Sequence, residues 1–333
     1  MRHLKLAGDL GQVQFLRYDL RDEESIFKSV KYSNVVVNLV GRDWETKNFK
    51  FDDVHVEGAR RIARICREAG VDKFIHVSAL NVTQNPTPYF LKNGSEWLKS
   101  KFDGENAVLQ EFPEAIIFRP SYIIGAEDRF CRYFSNNWRH QFNWIPMHQE
   151  ETTIKQPVYV GDVAGGIVKA IRDKKLRGAV IQAVGPRRYY LSELVDWIHR
   201  CNRKDREHGF SYGRYKLKYD PLMRLRISIL PHLTMNRPPG NVTWESIERE
   251  CHSDMVDPSL KTLQDLGLKL TLIEDIVPWV LRPYKSMTYY NADISERKAP
   301  DPPCFIADED DDSDSQDEEG EDDCQERKLI SSS

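Results

Sequence analysis

The segment that most restricts the fold is VVVNLVG at 35–41, a run of β-branched and apolar residues that ends in glycine. Its apolar residues do not alternate with polar ones, so neither face of such a strand suits water. A strand covered on both faces belongs in a parallel sheet. The neighbouring segments supply the covering helices. Residues 13–20, VQFLRYDL, alternate well enough to predict a strand. Asp22 to Tyr32 predicts a short helix with Ile26 and Val30 on one side. Residues 51–69 predict a longer helix with Val54, Ala59, Ile62, Ile65 and Cys66 inward, stopped by Gly70. KFIHVSAL at 73–80 is the next strand. A loop with Pro86 and Pro88 leads to a helix from Ser95 to Gln110, and AIIFRPSYIIG at 115–125 is another strand.

Alternating strands and helices predict an α/β fold, a Rossmann-like, doubly wound parallel sheet with right-handed crossovers. Ligands in such sheets bind at the carboxyl ends of the strands. The candidate positions are therefore Asp19 and Leu20, then Leu39, Gly41 and Arg42, then Ser78, and finally Pro120, Ser121 and Ile123. After Thr153 the pattern loosens. Residues 156–171 predict a short strand and a helix with Asp162 as its cap, 180–185 a strand, and 191–200 a helix capped by Ser192. Residues 262–275 predict a helix end, a turn at Gly267 and a new element. The expected organisation is a nucleotide-binding domain over 1–150, a smaller α/β subdomain over 151–296 that completes the fold, and a disordered acidic tail over 297–333.

Charge is unevenly spread. Residues 307–333 hold 13 Asp and Glu against two basic residues. The whole chain has a formal charge of -4, so residues 1–306 stand at +7. Such a tail cannot bury enough apolar surface to offset its ordering. The body lacks the concentrated basic stripe with interleaved aromatics that nucleic acid would require. Six cysteines stand without any CxxC pair, which predicts reduced thiols and no metal site. Apolar runs are too short for a membrane span. The first residues, MRHLKLAGDLGQ, form neither a signal core nor a clear transit peptide.

NVVVNLVGRDWETKNFKFDDVHVEGARRIARICREAGVDKFIHVSALN resembles the core of the extended short-chain dehydrogenases. More narrowly, NLVGRDWETKNF, FPEAIIFRPSYIIGAEDRF, KQPVYVGDVAGGIV, ERECHSDMV and LQDLGLKLT are similar to the family of nucleotide-binding accessory subunits of mitochondrial respiratory complex I (alpha subcomplex, subunit nine). The likeness covers residues 1–290. It implies a catalytically silent protein that binds NADP(H), with FAD as the alternative nucleotide. It also implies a peripheral place on the matrix side of the inner membrane among other complex I subunits. By the same resemblance, Asp19 and Leu20 would hold the adenine. Leu39, Gly41 and Arg42 would pass beneath the cofactor, and Pro120, Ser121 and Ile123 would meet the nicotinamide. The competing reading of each is a turn residue of an ordinary Rossmann-like sheet.

The family reaction uses a Tyr and, four residues later on the same helical face, a Lys. Lys101 is in place, but Trp97 occupies the Tyr position, and an indole N–H can only donate. Tyr89 does not substitute, since Asn93 follows it at that spacing. Ser78 is present as the third member, followed by Ala79. Lys101 and Ser78 could still bind a nucleotide, or serve only as a surface amine and a cap. His76 is expected to be packed within its strand. Arg60, Arg61, Arg64 and Arg67, and the pair Arg224 and Arg226, are read as solvated faces or as contacts for acidic subunits or lipid headgroups. Complete family members open with a strand, a glycine-rich turn and a helix. Gly8 and Gly11 precede a strand instead, so the chain is expected to lack that first βα unit and to bind NADPH poorly by itself. The alternative functions are an active NADP-dependent reductase or epimerase and a nucleotide-free sensor.

Overall fold

A computed structural model describes residues 8–9, 12–136, 144–147, 152–205, 208–234, 242–286 and 300–306. The first half runs α1 (Glu23–Val30), β1 (Val35–Asn38), a π-helical stretch (Asp53–Gly58) that continues into α2 (Ala59–Glu68), β2 (Lys73–Val77), α3 (Glu96–Glu111), β3 (Ile116–Pro120), β4 (Ile123–Ile124) and α4 (Phe130–Ser135). Then come β5 (Trp144–Met147), β6 (Ile154–Lys155), β7 (Val158–Tyr159), α5 (Val160–Arg172), β8 (Val180–Ala183), β9 (Arg188–Tyr190) and α6 (Leu191–Cys201). The chain continues with β10 (Gly213–Lys216), α7 (Pro221–Leu233), α8 (Trp244–Glu250), β11 (Lys261–Thr262), α9 (Ile273–Val280) and β12 (Phe305–Ile306).

Five strands form the central sheet in the order β1-β2-β3-β8-β11, all parallel. Successive side chains of a strand point to opposite faces. In β2, Phe74 therefore enters the core built with α1, α2 and α3, while Ile75 enters the core built with α5. The sheet is thus covered on both faces, as a doubly wound fold requires. A third core joins α4, α6, α9 and β9 around Phe134, Tyr189 and Trp197, and a fourth lies between α7 and α8.

Local sequence explains several boundaries. Asp22 caps α1 and Ser95 caps α3, each side chain accepting a backbone N–H from the first turn. Helix α2 ends where Gly70 takes φ +72, with Gly70 N–H donating to Arg67 O and Val71 N–H to Cys66 O. That pair of bonds is a Schellman motif, which needs a residue tolerant of the left-handed region. Helix α3 packs against the π-helical stretch so closely that a Cβ on Gly104 would lie 2.2 Å from His55 O.

Some expectations fail. Residues 13–19 form no strand: Val13, Phe15, Leu16 and Tyr18 are exposed, and nothing among the described residues pairs with them. Alternation describes what a strand's faces would look like, but a strand exists only when a neighbour supplies the ladder. Asp162 is not a cap. Helix α5 starts at Val160 after Tyr159, and the buried Asp162 carboxylate accepts the Thr271 N–H at 2.7 Å and its hydroxyl at 3.0 Å. Ser192 is likewise inside α6, whose N-cap is Tyr190. Residues 262–275 contain no helix end before Gly267; β11 and a turn stand there. The tail does not begin at 297 as a structureless segment, because Phe305 and Ile306 pair antiparallel with Tyr189 and Arg188. Residues 297–299 and 307–333 lie outside the described residues. Cys304 is disulfide-bonded, against the expectation of thiols throughout, whereas Cys66, Cys131, Cys201 and Cys251 are buried thiols outside any disulfide. Spacing rules detect CxxC pairs and could not report a link made near the end of the chain.

Candidate functional site

A cavity of about 470 Å³ opens at the carboxyl ends of β2, β3 and β4. Ser78, Pro120, Ser121 and Ile123 line it together, with Trp97 on the wall. Strand β2 delivers Ser78 because its backbone continues the ladder one step past Val77, with Ser78 N–H donating to Phe118 O at 2.8 Å. Its buried hydroxyl has no hydrogen-bond partner among the described residues. Such a group is costly unless a ligand or water meets it. Ser121 donates its hydroxyl to Asp254 Oδ2.

Lys101 follows Trp97 by one turn of α3, only 6% exposed. Its Nζ donates to Val77 O at 3.3 Å and lies 5.7 Å from the Trp97 ring centroid. A Cβ on Gly41 would stand 3.3 Å from that Nζ, so the small residue at the end of β1 leaves the amine its space. Burial holds the Lys101 ammonium down to about 8, while Asp43 and Glu105 pull it back up. The remaining candidates stand outside the cavity's lining. Asp19 is exposed and accepts the Arg21 N–H at 2.8 Å. Leu20 packs half-buried on the α1–α2 core, and Leu39 is 69% exposed. Arg42 offers its main chain to the site, its N–H donating to His55 Nε2 at 3.1 Å and its carbonyl accepting the Trp97 indole N–H at 2.7 Å.

The two histidines are neutral. His55 Nε2 accepts a backbone N–H, so Nδ1 carries the proton and donates to Ser100 Oγ at 2.8 Å. Burial pushes His55 down to about 2, helped by the positive charges of Lys101 and Arg249. His76 Nδ1 accepts from Asn38 Nδ2 at 3.1 Å, and burial, then Lys101, lowers it to about 3. Its Nε2 has no partner among the described residues.

Sequence reading missed α8, whose Arg249 lines the cavity and whose Glu245 and Glu248 anchor the segment leading into α3. The Arg249 guanidinium lies 4.3 Å from the Trp97 ring centroid and 3.6 Å from Asp43 Oδ1, and Arg129 also pairs with Asp43. Glu245 accepts the Trp97 N–H at 3.1 Å and the Ser95 hydroxyl. The fully buried Glu248 accepts the N–H groups of Tyr89, Phe90 and Leu91 at 2.7, 2.7 and 3.1 Å. The available signal was helical spacing, since Glu245, Glu248 and Arg249 share one face of α8. The arginines of α2 lie on a partly exposed face and pair with Glu57, Glu23 and Glu111. No group of His, Cys, Asp and Glu suited to a metal occurs among the described residues, and none of their helices is long and apolar enough to cross a membrane.

A parallel sheet with a cavity at its carboxyl edge, and Lys101 and Ser78 beside it, defines a dehydrogenase-like nucleotide-binding class. In agreement, residues 3–195 match the 3-beta hydroxysteroid dehydrogenase/isomerase family. Two solved structures share the fold. The protein gox2253 aligns at TM-score 0.55 and 20% identity, over 81% of this chain and 85% of its own. UDP-glucuronic acid 4-epimerase from Bacillus cereus, in complex with UDP-glucuronic acid and NAD, aligns at 0.51 and 17%, over 75% and 84%. The sequence relatives are more specific. Mitochondrial NADH dehydrogenase [ubiquinone] 1 alpha subcomplex subunit 9 of Mus musculus is 42% identical over 299 residues, 89% of this chain and 74% of that protein. The mitochondrial NADH-ubiquinone oxidoreductase 40 kDa subunit of Neurospora crassa is 34% identical over 298 residues, 87% and 72%. The chain belongs to this alpha subcomplex subunit 9 family.

Proposed function

We propose that the chain is a non-catalytic accessory subunit of mitochondrial respiratory complex I, which carries electrons from NADH to ubiquinone, and that it holds NADP(H) structurally and supports assembly or stability of the complex. The observation that carries this reading is Trp97. It stands where the resemblance places the acid/base Tyr, and its one N–H is already given to Arg42 O. The buried, unpartnered Ser78 hydroxyl supports a nucleotide at this edge of the sheet. Pro120, Ser121 and Ile123 would meet its nicotinamide, Ser78 and Lys101 would hydrogen-bond it, Leu39, Gly41 and Arg42 would pass beneath it, and Asp19 and Leu20 would hold the adenine. When bound, the group could supply hydride chemistry, but these residues offer it hydrogen bonds and shape without a proton donor at the Tyr position.

The proposed place is the matrix side of the inner membrane, among other complex I subunits. Leu222, Leu225 and Ile229 support a contact with lipid headgroups. They recur along α7 at 59%, 55% and 45% exposure, with Arg224 and Arg226 beside them. The alternative, an active NADP-dependent reductase or epimerase, is favoured by Lys101 in its motif position. Steady-state NADPH consumption with a broad carbonyl panel separates the two. Loss of general acid–base catalysis removes about 10²–10⁴-fold, so turnover should stay near background. Clear turnover that disappears in Lys101→Ala would overturn the non-catalytic reading. Co-purification with respiratory subunits tests the place in the complex.

A further inference from the structure

A second cavity, of about 570 Å³, lies between the loop that follows β1, the residues before α3, and helices α7 and α8. It shares no lining residue with the first cavity. Three aromatic rings, Trp44, Phe51 and Trp244, and three carboxylates, Glu45, Glu96 and Glu245, line it. None of the three carboxylates forms an ion pair among the described residues. Glu45 spends Oε1 on the Phe51 N–H at 3.2 Å, and Glu245 spends Oε1 on Trp97 and Ser95. The second oxygen of each accepts no hydrogen bond from a described residue.

Glu96 and Glu245 sit in the first turns of α3 and α8, where the helix dipole favours negative charge. Burial pushes the Glu245 carboxyl up, while the Ser95 hydroxyl, the Trp97 N–H and the Arg249 charge pull it part of the way back. Lys92 is the only base among the described lining residues, and it pairs with none of the acids. The Trp244 wall is fixed: its indole N–H donates to Ser228 Oγ at 3.0 Å, and its ring packs on Phe90, whereas the Trp44 ring already has the Arg42 guanidinium 5.7 Å from its centroid. Aromatic faces and carboxylates without ion pairs around a small-molecule-sized space suit a cation that is weakly hydrated.

We propose that this cavity binds an alkylammonium ion, with a trimethylammonium head as its preferred form. Two sources carry that head, a free organic cation of the choline type and the headgroup of a phosphatidylcholine lipid. The lipid source fits the position of Ile227 and Ser228 on α7, whose outer side carries the exposed leucines.

The test is calorimetric titration of the full chain with choline and with its neutral isostere 3,3-dimethylbutan-1-ol. Choline should bind, the isostere should bind on the order of tenfold more weakly or not at all, and Trp244→Leu should lose a similar factor. Glu96→Gln, at an exposed position, should weaken choline in the same direction and keeps the test valid if Trp244→Leu fails to fold. Sedimentation with phosphatidylcholine against phosphatidylglycerol vesicles distinguishes the sources. Phosphatidylcholine-selective binding lost in Glu96→Gln assigns the lipid headgroup, and choline binding without that selectivity assigns the free cation. No choline binding, equal affinity for the neutral isostere, or affinity unchanged in both variants overturns the proposal. None of these readouts depends on NADP(H) or on complex I.

Discussion

Replacing Asp254 by Asn should remove the tie that holds the C-terminal segment against the carboxyl edge of the sheet. The Asp254 carboxylate takes hydrogen bonds from Asn81 Nδ2 at 3.1 Å, Gln156 N at 2.9 Å and the Ser121 hydroxyl, and it lies 3.9 Å from Lys155 Nζ. The two charged side chains are 1% and 3% exposed. Removing one partner of a buried ion pair costs about 3–5 kcal/mol, because the other charge stays buried. Lys155 keeps the carbonyls of Arg249 and His252 at 3.4 and 2.5 Å, and the Tyr122 ring at 4.9 Å. Those contacts place the loss at the low end, about 3 kcal/mol. At roughly 2–4 °C per kcal/mol, the thermal midpoint of Asp254→Asn should fall by about 6–12 °C.

The same variant carries a pH signature. Burial holds Lys155 below the ordinary lysine value, and Asp254 is the largest effect pulling it back up. Without Asp254 it falls further. A folded-state value below the unfolded one means that the unfolded chain binds the extra proton between the two, so stability rises with pH across that window. The window opens at a lower pH in Asp254→Asn. Its deficit against wild type should be largest at the acid end of a series run from below neutral pH up to the ordinary lysine range, and should shrink as pH rises and Lys155 sheds its proton in the folded state. Circular-dichroism melts of both proteins across this range are the assay. A midpoint within about 2 °C of wild type at the acid end, or a deficit that grows with pH, would refute the reasoning.

Two further substitutions probe packing. The Lys73 ammonium on β2 donates to Ala170, Ile171 and Asp173 carbonyls at 3.0, 2.6 and 2.8 Å, closing the end of α5, so Lys73→Met should cost about 2 kcal/mol in urea unfolding; no change in the urea midpoint would show that water caps those carbonyls equally well. Gly104→Ala places a methyl 2.2 Å from His55 O, which must force α3 away from the π-helical stretch. A loss of about 3 kcal/mol or more follows, and a neutral effect would mean that the two helices are free to slide.

Most of the sheet is legible in the sequence because its physics is local. Val35 to Val37, Phe74 with Ile75, and the helix face around Ile62 follow from apolar patterning alone. The strand ends then place Ser78, Pro120 and Ile123 at one edge without any further information. Pairing is where sequence reading stops, since residues 13–19 alternate as a strand would yet find no described partner. Asp162 and Ser192 show a second limit. Each is a good capping residue close to a helix start, but the helices begin earlier, and Asp162 is spent on Thr271, 109 residues away. The charged groups of 245–254 were invisible as site residues for the same reason. Their partners at Ser95, Trp97, Asn81 and Ser121 lie more than 130 residues distant.

Trp97 is where these limits and the proposed function meet. A Tyr there would present a hydroxyl able to give and take a proton. The indole presents one N–H and no acceptor, and Arg42 O takes that N–H at 2.7 Å. The ring meanwhile lies within cation–π range of two positive groups, Lys101 at 5.7 Å and Arg249 at 4.3 Å. Its backbone N–H is bound by Glu245 from α8. One side chain therefore joins the end of β1, helix α3 and helix α8, and it gives the Lys101 ammonium an aromatic neighbour in place of a hydroxyl. On the proposed reading, a position that would serve proton transfer instead fixes three parts of the chain around the nucleotide edge. Such a change favours a subunit whose use of the nucleotide is to hold its own shape.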